Sequence, residues 1–361
     1  MHYILFLFLS LESAHANPVW FLNNAQIKEL STIAAPAIFT DYSFIILNLV
    51  VLIIIVTLFA FACEHYFLKR FNNTLDKILL PIAEKHCAAI LRIFLGLMLI
   101  LFSFGALSHL GIGSIKHPVL FAPNIDLILL SKISAFWIIM NKIQMAIGIM
   151  LVIGFYTRIN IFALLSILSF CTMKMGIVNF PYIFYYLPAC LLLFYLGNGK
   201  SVTTNLPSYN QKKEDLIQKK LNWTKLYRLI LSSSGLILIT YAFFINIMQP
   251  NLLIIIFEKA QIMSFGMTYD KFIFVLAFCQ IAAGCLLIMG ILIRPISAII
   301  LISIIMFSSA LGAPILFYGH IIAIFITNFM LGNHPLVNFE DILDHEPNEV
   351  PLYQSVYEDY A

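Results

Sequence analysis

Nine stretches of this 361-residue chain are apolar enough to enter a lipid bilayer: roughly 42–63, 88–108, 136–157, 160–178, 182–197, 226–247, 272–293, 296–311 and 313–332. A helix crosses the hydrocarbon core with about 20 mostly apolar residues, because backbone N–H and C=O groups must find partners inside the segment itself. None of the nine contains Asp or Glu. Apolar residues make up 61% of the chain and charged residues 11%, too few charges to clothe a soluble surface of this size. The expectation is an all-α, polytopic transmembrane protein. Whole-chain disorder, a disulfide scaffold and a nucleic-acid binder are excluded, and the lipid bilayer is the first partner.

The termini read differently from the centre. Ile4–Leu11 is a short apolar run followed by Ala14-His15-Ala16, the small-residue pattern of a signal peptidase site, although Met1-His2-Tyr3 has no basic residue. Residues 1–16 are expected to be a signal peptide, and 17–87 an outer segment, a leading transmembrane helix and a cytoplasmic connector. An outside mature amino terminus places 64–87, 158–159, 198–225, 294–295 and the carboxyl tail on the cytoplasmic side. That side and its helix edges then hold 14 of the 21 basic residues, leaving Lys28, Lys116, Lys132, Lys142, Lys174, Lys259 and Lys271, as expected if positive charge stays inside. Residues 198–225 form a basic linker, whose lysines read as a solvated, lipid-facing band. The tail, 333–361, holds seven of the 18 acids and no Lys or Arg. Its Asp344-His345-Glu346 has the donors of a hard-cation site, but a solvated tail is the favoured reading and no metal is expected.

The chain also matches itself. Gln144, Ala146, Gly148, Leu151, Gly154 and Arg158 recur at an offset of 136 as Gln280, Ala282, Gly284, Leu287, Gly290 and Arg294, six identities in 15 positions without a gap. Arg92 and Arg228 share that offset, as do Leu95 and Leu231; Leu196-Gly197-Asn198 meets Leu331-Gly332-Asn333 at 135. Each copy, 88–197 and 226–332, holds four spans. Four is even, so the expectation is two parallel four-helix repeats behind one leading helix. The glycines read as close-packing positions between helices. The turn arginines read as partners of helix-end carbonyls and lipid phosphates.

At these residues the chain resembles the DoxX/DoxD family of four-helix membrane proteins, whose second helix reads roughly E-x-x-x-G-x-x-x-x-x-G-x-x-x-R and whose first helix opens with an Arg. Gly197-Asn198-Gly199-Lys200-Ser201 is similar to that family's closing G-x-G segment. The resemblance spans about 220 residues as a tandem pair and implies a multi-pass protein of a bacterial inner membrane. It further implies an accessory or quinone-interacting subunit of a periplasm-facing thiol or sulfur redox system, with a membrane or periplasmic redox protein as partner. The family's helix Glu is Gln144 and Gln280 here, and Val202 and Thr203 stand where an Asp often follows the closing glycines. A titrating carboxylate has thus become a neutral amide.

No residue pattern declares a reaction. No C-x-x-C occurs, and Cys63, Cys87, Cys171, Cys190, Cys279 and Cys285 lie in or beside apolar spans as small core residues. His109 and His320 are a remote haem pair at best. The first repeat carries His109, Asn141, Lys142 and Lys174 where the second has Ile245, Ala277, Phe278 and Ala310. Snorkelling explains Lys142; the sharper reading is a cationic outer cavity for an anion, a quinone carbonyl or a lipid headgroup. The second repeat has Asn246, His320 and Asn328, the last two on one helix face and expected to hydrogen-bond inside the bundle. Tyr182, Tyr185 and Tyr186, with Trp137, are expected at an interfacial belt. Two other functions stay open: a transporter or flippase for a small anionic or lipidic substrate, and a ligand-free scaffold for partner proteins.

Overall fold

In a computed structural model the chain is described over residues 33–104, 135–175, 180–197, 223–248, 250–259, 261–262, 264–310 and 315–332. The signal peptide, His109, most of the basic linker and the acidic tail lie outside these residues. The described residues form helices and turns, with no strand among them.

Among the described residues ten α-helices follow one another: α1 (Tyr42–Cys63), α2 (Lys69–Phe104), α3 (Ala135–Ile153), α4 (Thr157–Met175), α5 (Phe180–Leu196), α6 (Trp223–Tyr241), α7 (Pro250–Lys259), α8 (Tyr269–Met289), α9 (Ile293–Ala310) and α10 (Gly319–Leu331). Each of the nine expected spans holds a helix among its described residues, but 136–157 and 272–293 run past the helix ends at Ile153 and Met289 into non-helical turns. Ser43–Tyr66, Lys85–Phe104 and Tyr269–Met289 are by themselves long and apolar enough to cross a membrane. Five more apolar helices are shorter within the described residues: Ile139–Ile153, Thr157–Phe170, Tyr186–Leu196, Ile293–Ser309 and Gly319–Leu331. α6 is less apolar, since it opens on Lys225 and Arg228 and carries Ser232-Ser233-Ser234; a π-helical stretch, Ala242–Ile247, prolongs it.

Two features were not expected. The connector after α1 is helical throughout: a π-helical turn, Glu64–Leu68, runs directly into the 36-residue α2, which contains Pro81. α7 is an additional helix between the first and second spans of the second half.

α1 is apolar on every side, so no face of it is reserved for the bundle. Only 11% of its most apolar window is buried, against 56% for Lys85–Phe104 and 67% for α8. Phe44, Leu47, Leu58 and Phe59 are among its exposed side chains, a surface stable only against an apolar surrounding. Asp41 starts the helix by accepting from the Phe44 N–H at 3.0 Å. Phe39, in the 3-10 turn ahead of it, packs edge-on against Phe274 of α8.

The other helices enclose a core that draws buried side chains from both halves, including Leu91 and Leu95 of α2, Leu164 of α4, Leu193 of α5, Ile230 of α6, Leu287 of α8, Ile300 of α9 and Phe325 of α10. α2 packs on α3 and α10, and α6 packs on α8 and α5. The first helix of each half therefore lies against the last helix of the other.

Candidate functional site

The self-matching segments build the same local structure twice. α3 stops at Gly154 and α8 at Gly290, with φ of 84° and 76°. Only glycine reaches that left-handed region without a Cβ penalty. In α3 the Gly154 N–H reaches the Leu151 carbonyl at 3.2 Å and the Phe155 N–H reaches Met150 at 2.9 Å. In α8 Gly290 reaches Leu287 at 3.0 Å and Ile291 reaches Leu286 at 2.9 Å. This is the Schellman pair that satisfies the last carbonyls of a helix. Two residues on, Tyr156 and Leu292 also have positive φ, 46° and 54°. Gly154 and Gly290 thus end helices; the close-packing role expected of them belongs to Gly148 and Gly284 alone.

At those two positions the helices touch through their backbones. A Cβ on Gly148 would lie 2.8 Å from the Gly96 carbonyl oxygen, and one on Gly284 would lie 2.6 Å from that of Gly235. The partner glycines on α2 and α6 are 139 residues apart, not 136. Arg92 and Arg228, matched at 136 in the sequence, therefore occupy different settings: Arg92 is buried and Arg228 exposed.

The turn arginines cap the last helix of their own half. Arg158 donates from Nε to the Phe194 carbonyl at 2.9 Å and from Nη2 to Tyr195 at 3.2 Å. Arg294 donates from Nε to Phe329 at 3.0 Å and from Nη2 to Met330 at 3.4 Å. These carbonyls are 135 residues apart, the slipped offset of the closing Leu-Gly-Asn segments. Free carbonyls at a helix end carry partial negative charge, which a guanidinium fork matches. Gly197 and Gly332 follow with φ of 64° and 56°. Both turns lie at the same end of the bundle: Gly148 meets α2 at Gly96, Thr327 meets it at Cys87, and α3, which runs into the Arg158 turn, and α10, whose end Arg294 caps, both run antiparallel to α2.

The second turn also engages α2 and the connector. Arg294 also donates to the Asn72 carbonyl at 3.1 Å and pairs with Asp76, both on α2. The Leu292 N–H donates to Glu64 at 3.0 Å. The connector is thus fastened to the second half, which accounts for its helical order. Sequence reading missed this set, because Glu64, Asn72 and Asp76 look like solvated connector residues.

The shared glutamines are fully buried. Gln144 Nε2 donates to the Leu99 carbonyl at 3.2 Å and to Ser103 Oγ at 3.0 Å. Gln280 accepts at Oε1 from Asn246 Nδ2 at 2.6 Å. Each ties the second helix of its half to the first. A carboxylate there would need a proton or a counter-charge; an amide needs neither.

The other candidate residues do not meet in one place. Asn141 is half-buried and donates to the Ser103 carbonyl at 3.2 Å. Lys142 is exposed, so these neighbours face different ways. Lys174 lies on α4 and Trp137 on α3, but their side chains are outside the described residues, as are those of Tyr182 and Tyr185. Tyr186 is interior, 2% exposed, and not at a belt. Its ring stacks on His320 with centroids 5.0 Å apart. Asn328 is fully buried and donates to Ser234 Oγ at 3.4 Å. Cys87 and Cys190 are buried, while Cys63, Cys279 and Cys285 are half-buried. Among the described residues no group of His, Cys, Asp and Glu side chains is placed to hold a metal ion. Compared with known proteins, the chain matches no family model, no curated protein and no solved structure.

Proposed function

We propose that this chain is a tandem DoxX-like protein of a bacterial inner membrane. Two four-helix units run the same way across the bilayer behind one leading helix, with the arginine-capped end cytoplasmic. On this reading it serves as an accessory, quinone-interacting subunit of a periplasm-facing thiol or sulfur redox system and anchors a redox partner protein. The observation that carries the reading is the recurrence of one constellation: a Schellman glycine, a turn arginine and the two helix-end carbonyls it holds. Spans and turns repeated in this way are the mark of duplicated membrane bundles.

The use of the shared polar side chains supports an accessory role. Gln144, Gln280, Arg158 and Arg294 all bind helices to one another. What distinguishes the first unit is Asn141 and Lys142, against Ala277 and Phe278, and the exposed Lys142 ammonium is a donor suited to a quinone carbonyl.

Purification of the full chain in mild detergent, followed by mass spectrometry of bound molecules, tests this reading. A quinone and a redox protein should copurify, and Lys142→Glu should lose the quinone. Substrate-dependent flux in liposomes, with neither companion, would replace the proposal with a transporter or flippase. A stable protein partner without any ligand would leave a scaffold.

A further inference from the structure

Arg92 lies within the membrane-crossing part of α2 and is 3% exposed. Among the described residues neither its Nε nor its Nη1 has a hydrogen-bond partner. A guanidinium does not shed its proton in a protein, and a buried charge without a partner is strongly unfavourable. The described carboxylates are occupied or remote. Asp41 caps α1, Glu64 and Asp76 serve the second turn, and Glu258 and Asp270 lie at the opposite end of the bundle from the arginine turns. Glu84 is eight residues away, about 12 Å along a helix axis.

The surroundings suit a guest. Ala88 and Ala89 precede Arg92 by one turn on its own helix, so the neighbours on its amino-terminal side are small. Helical side chains lean toward the helix amino terminus; on α2 that is toward the arginine-capped end. Gly96 abuts Gly148 and Val152 of α3, so Arg92, one turn lower, is level with the Gly154–Thr157 turn. In a bilayer this is the approach to the headgroup layer.

We propose that Arg92 anchors a phosphate-oxyanion site in the first half of the bundle. Phosphate offers several charged acceptor oxygens to a planar fork of donors and cancels the buried charge. The group is carried either by a phospholipid headgroup or by a small soluble phosphate. The site belongs to the first half alone, because Arg228, its sequence counterpart, is exposed. The inference goes beyond the redox reading and does not depend on it.

The test uses the full chain, delipidated in maltoside micelles. Thermal unfolding is followed with added phosphatidylglycerol, with diacylglycerol as the phosphate-free control, and separately with inorganic phosphate against chloride at equal ionic strength. A ligand held only by the folded state raises Tm saturably. A rise with phosphatidylglycerol but not diacylglycerol assigns a lipid source, and a rise with inorganic phosphate assigns a soluble one. Arg92→Gln should abolish the responding arm, and Arg228→Gln should retain it. No rise in either arm for the wild-type chain, or an equal rise in Arg92→Gln, overturns the proposal. Should Arg92→Gln not fold, the wild-type titrations still decide, and Arg92→Met fills the same volume without charge.

Discussion

Tyr186 and His320 stack face to face, their ring planes 12° from parallel and their centroids 5.0 Å apart. One ring comes from the last helix of the first half and the other from the last helix of the second. Both are buried, so the pair joins the halves where water is excluded. Aromatic pairs of this kind contribute about 0.5–1.5 kcal/mol beyond their burial. His320→Ala should lower stability in SDS-driven unfolding by that amount plus a packing loss, while His320→Phe should retain most of it. An unchanged transition for His320→Ala would remove the stack as a stabilising contact.

The glycine crossings are tighter. A Cβ on Gly235 would lie 2.4 Å from the Gly284 carbonyl oxygen, and one on Gly96 would lie 2.6 Å from that of Gly148. The obstructing atoms are backbone and cannot swing away. Gly148→Ala and Gly284→Ala should each destabilise by about 1–3 kcal/mol. Because each pair shares one contact, Gly96→Ala with Gly148→Ala should cost less than the sum of the two. Strict additivity in the double-mutant cycle would mean that the helices do not meet there.

The turn arginines differ in what they hold, so their losses should differ. Arg294 is 4% exposed at its side chain and pairs with Asp76, whereas Arg158 reaches two carbonyls from an exposed edge. Arg294→Ala leaves a partly buried carboxylate unmatched, for which about 3–5 kcal/mol is expected if the pair behaves as a buried one. Arg158→Ala should cost about 1 kcal/mol. Pairing Arg294→Ala with Asp76→Asn should recover part of the larger loss. Equal effects at the two arginines would contradict the fastening of α2 to the second turn.

The amide ties make a similar contrast. Asn246→Leu removes the Nδ2–H that Asn246 donates to the buried Gln280 oxygen and should cost about 1–3 kcal/mol. Interhelical bonds inside membranes average nearer about 0.6 kcal/mol, so the lower part of that range is expected. Asn246→Leu with Gln280→Leu removes both polar groups and should be milder than Asn246→Leu alone. Unfolding midpoints of the single and the double variant check this, and a double variant less stable than Asn246→Leu would contradict the amide pair.

Much of this structure is legible in the amino-acid order because bilayer chemistry is coarse. Apolar run length sets where helices form, and a 15-residue self-match marks two turns that share dihedral angles and hydrogen bonds. The capping arginines were readable for the same reason: a basic residue at a helix boundary has few satisfactory partners other than carbonyl ends. Helix register was not readable. The 136-residue offset equates Arg92 with Arg228, but helix packing aligns Gly96 with Gly235, three residues further on, and so buries one arginine and exposes the other.

The sequence by itself determined that this is a helical protein of lipid-like surroundings with a repeated internal pattern, because hydropathy and glycine–arginine spacing act locally along the chain. Only the tertiary structure decided that the connector is a helix held by Glu64 and Asp76, that Tyr186 faces His320, and that Arg92 is buried with its Nε and Nη1 unpartnered among the described residues. Those outcomes depend on which face of one helix meets which face of another. That choice is made by contacts between residues up to 228 positions apart, and no local pattern encodes it.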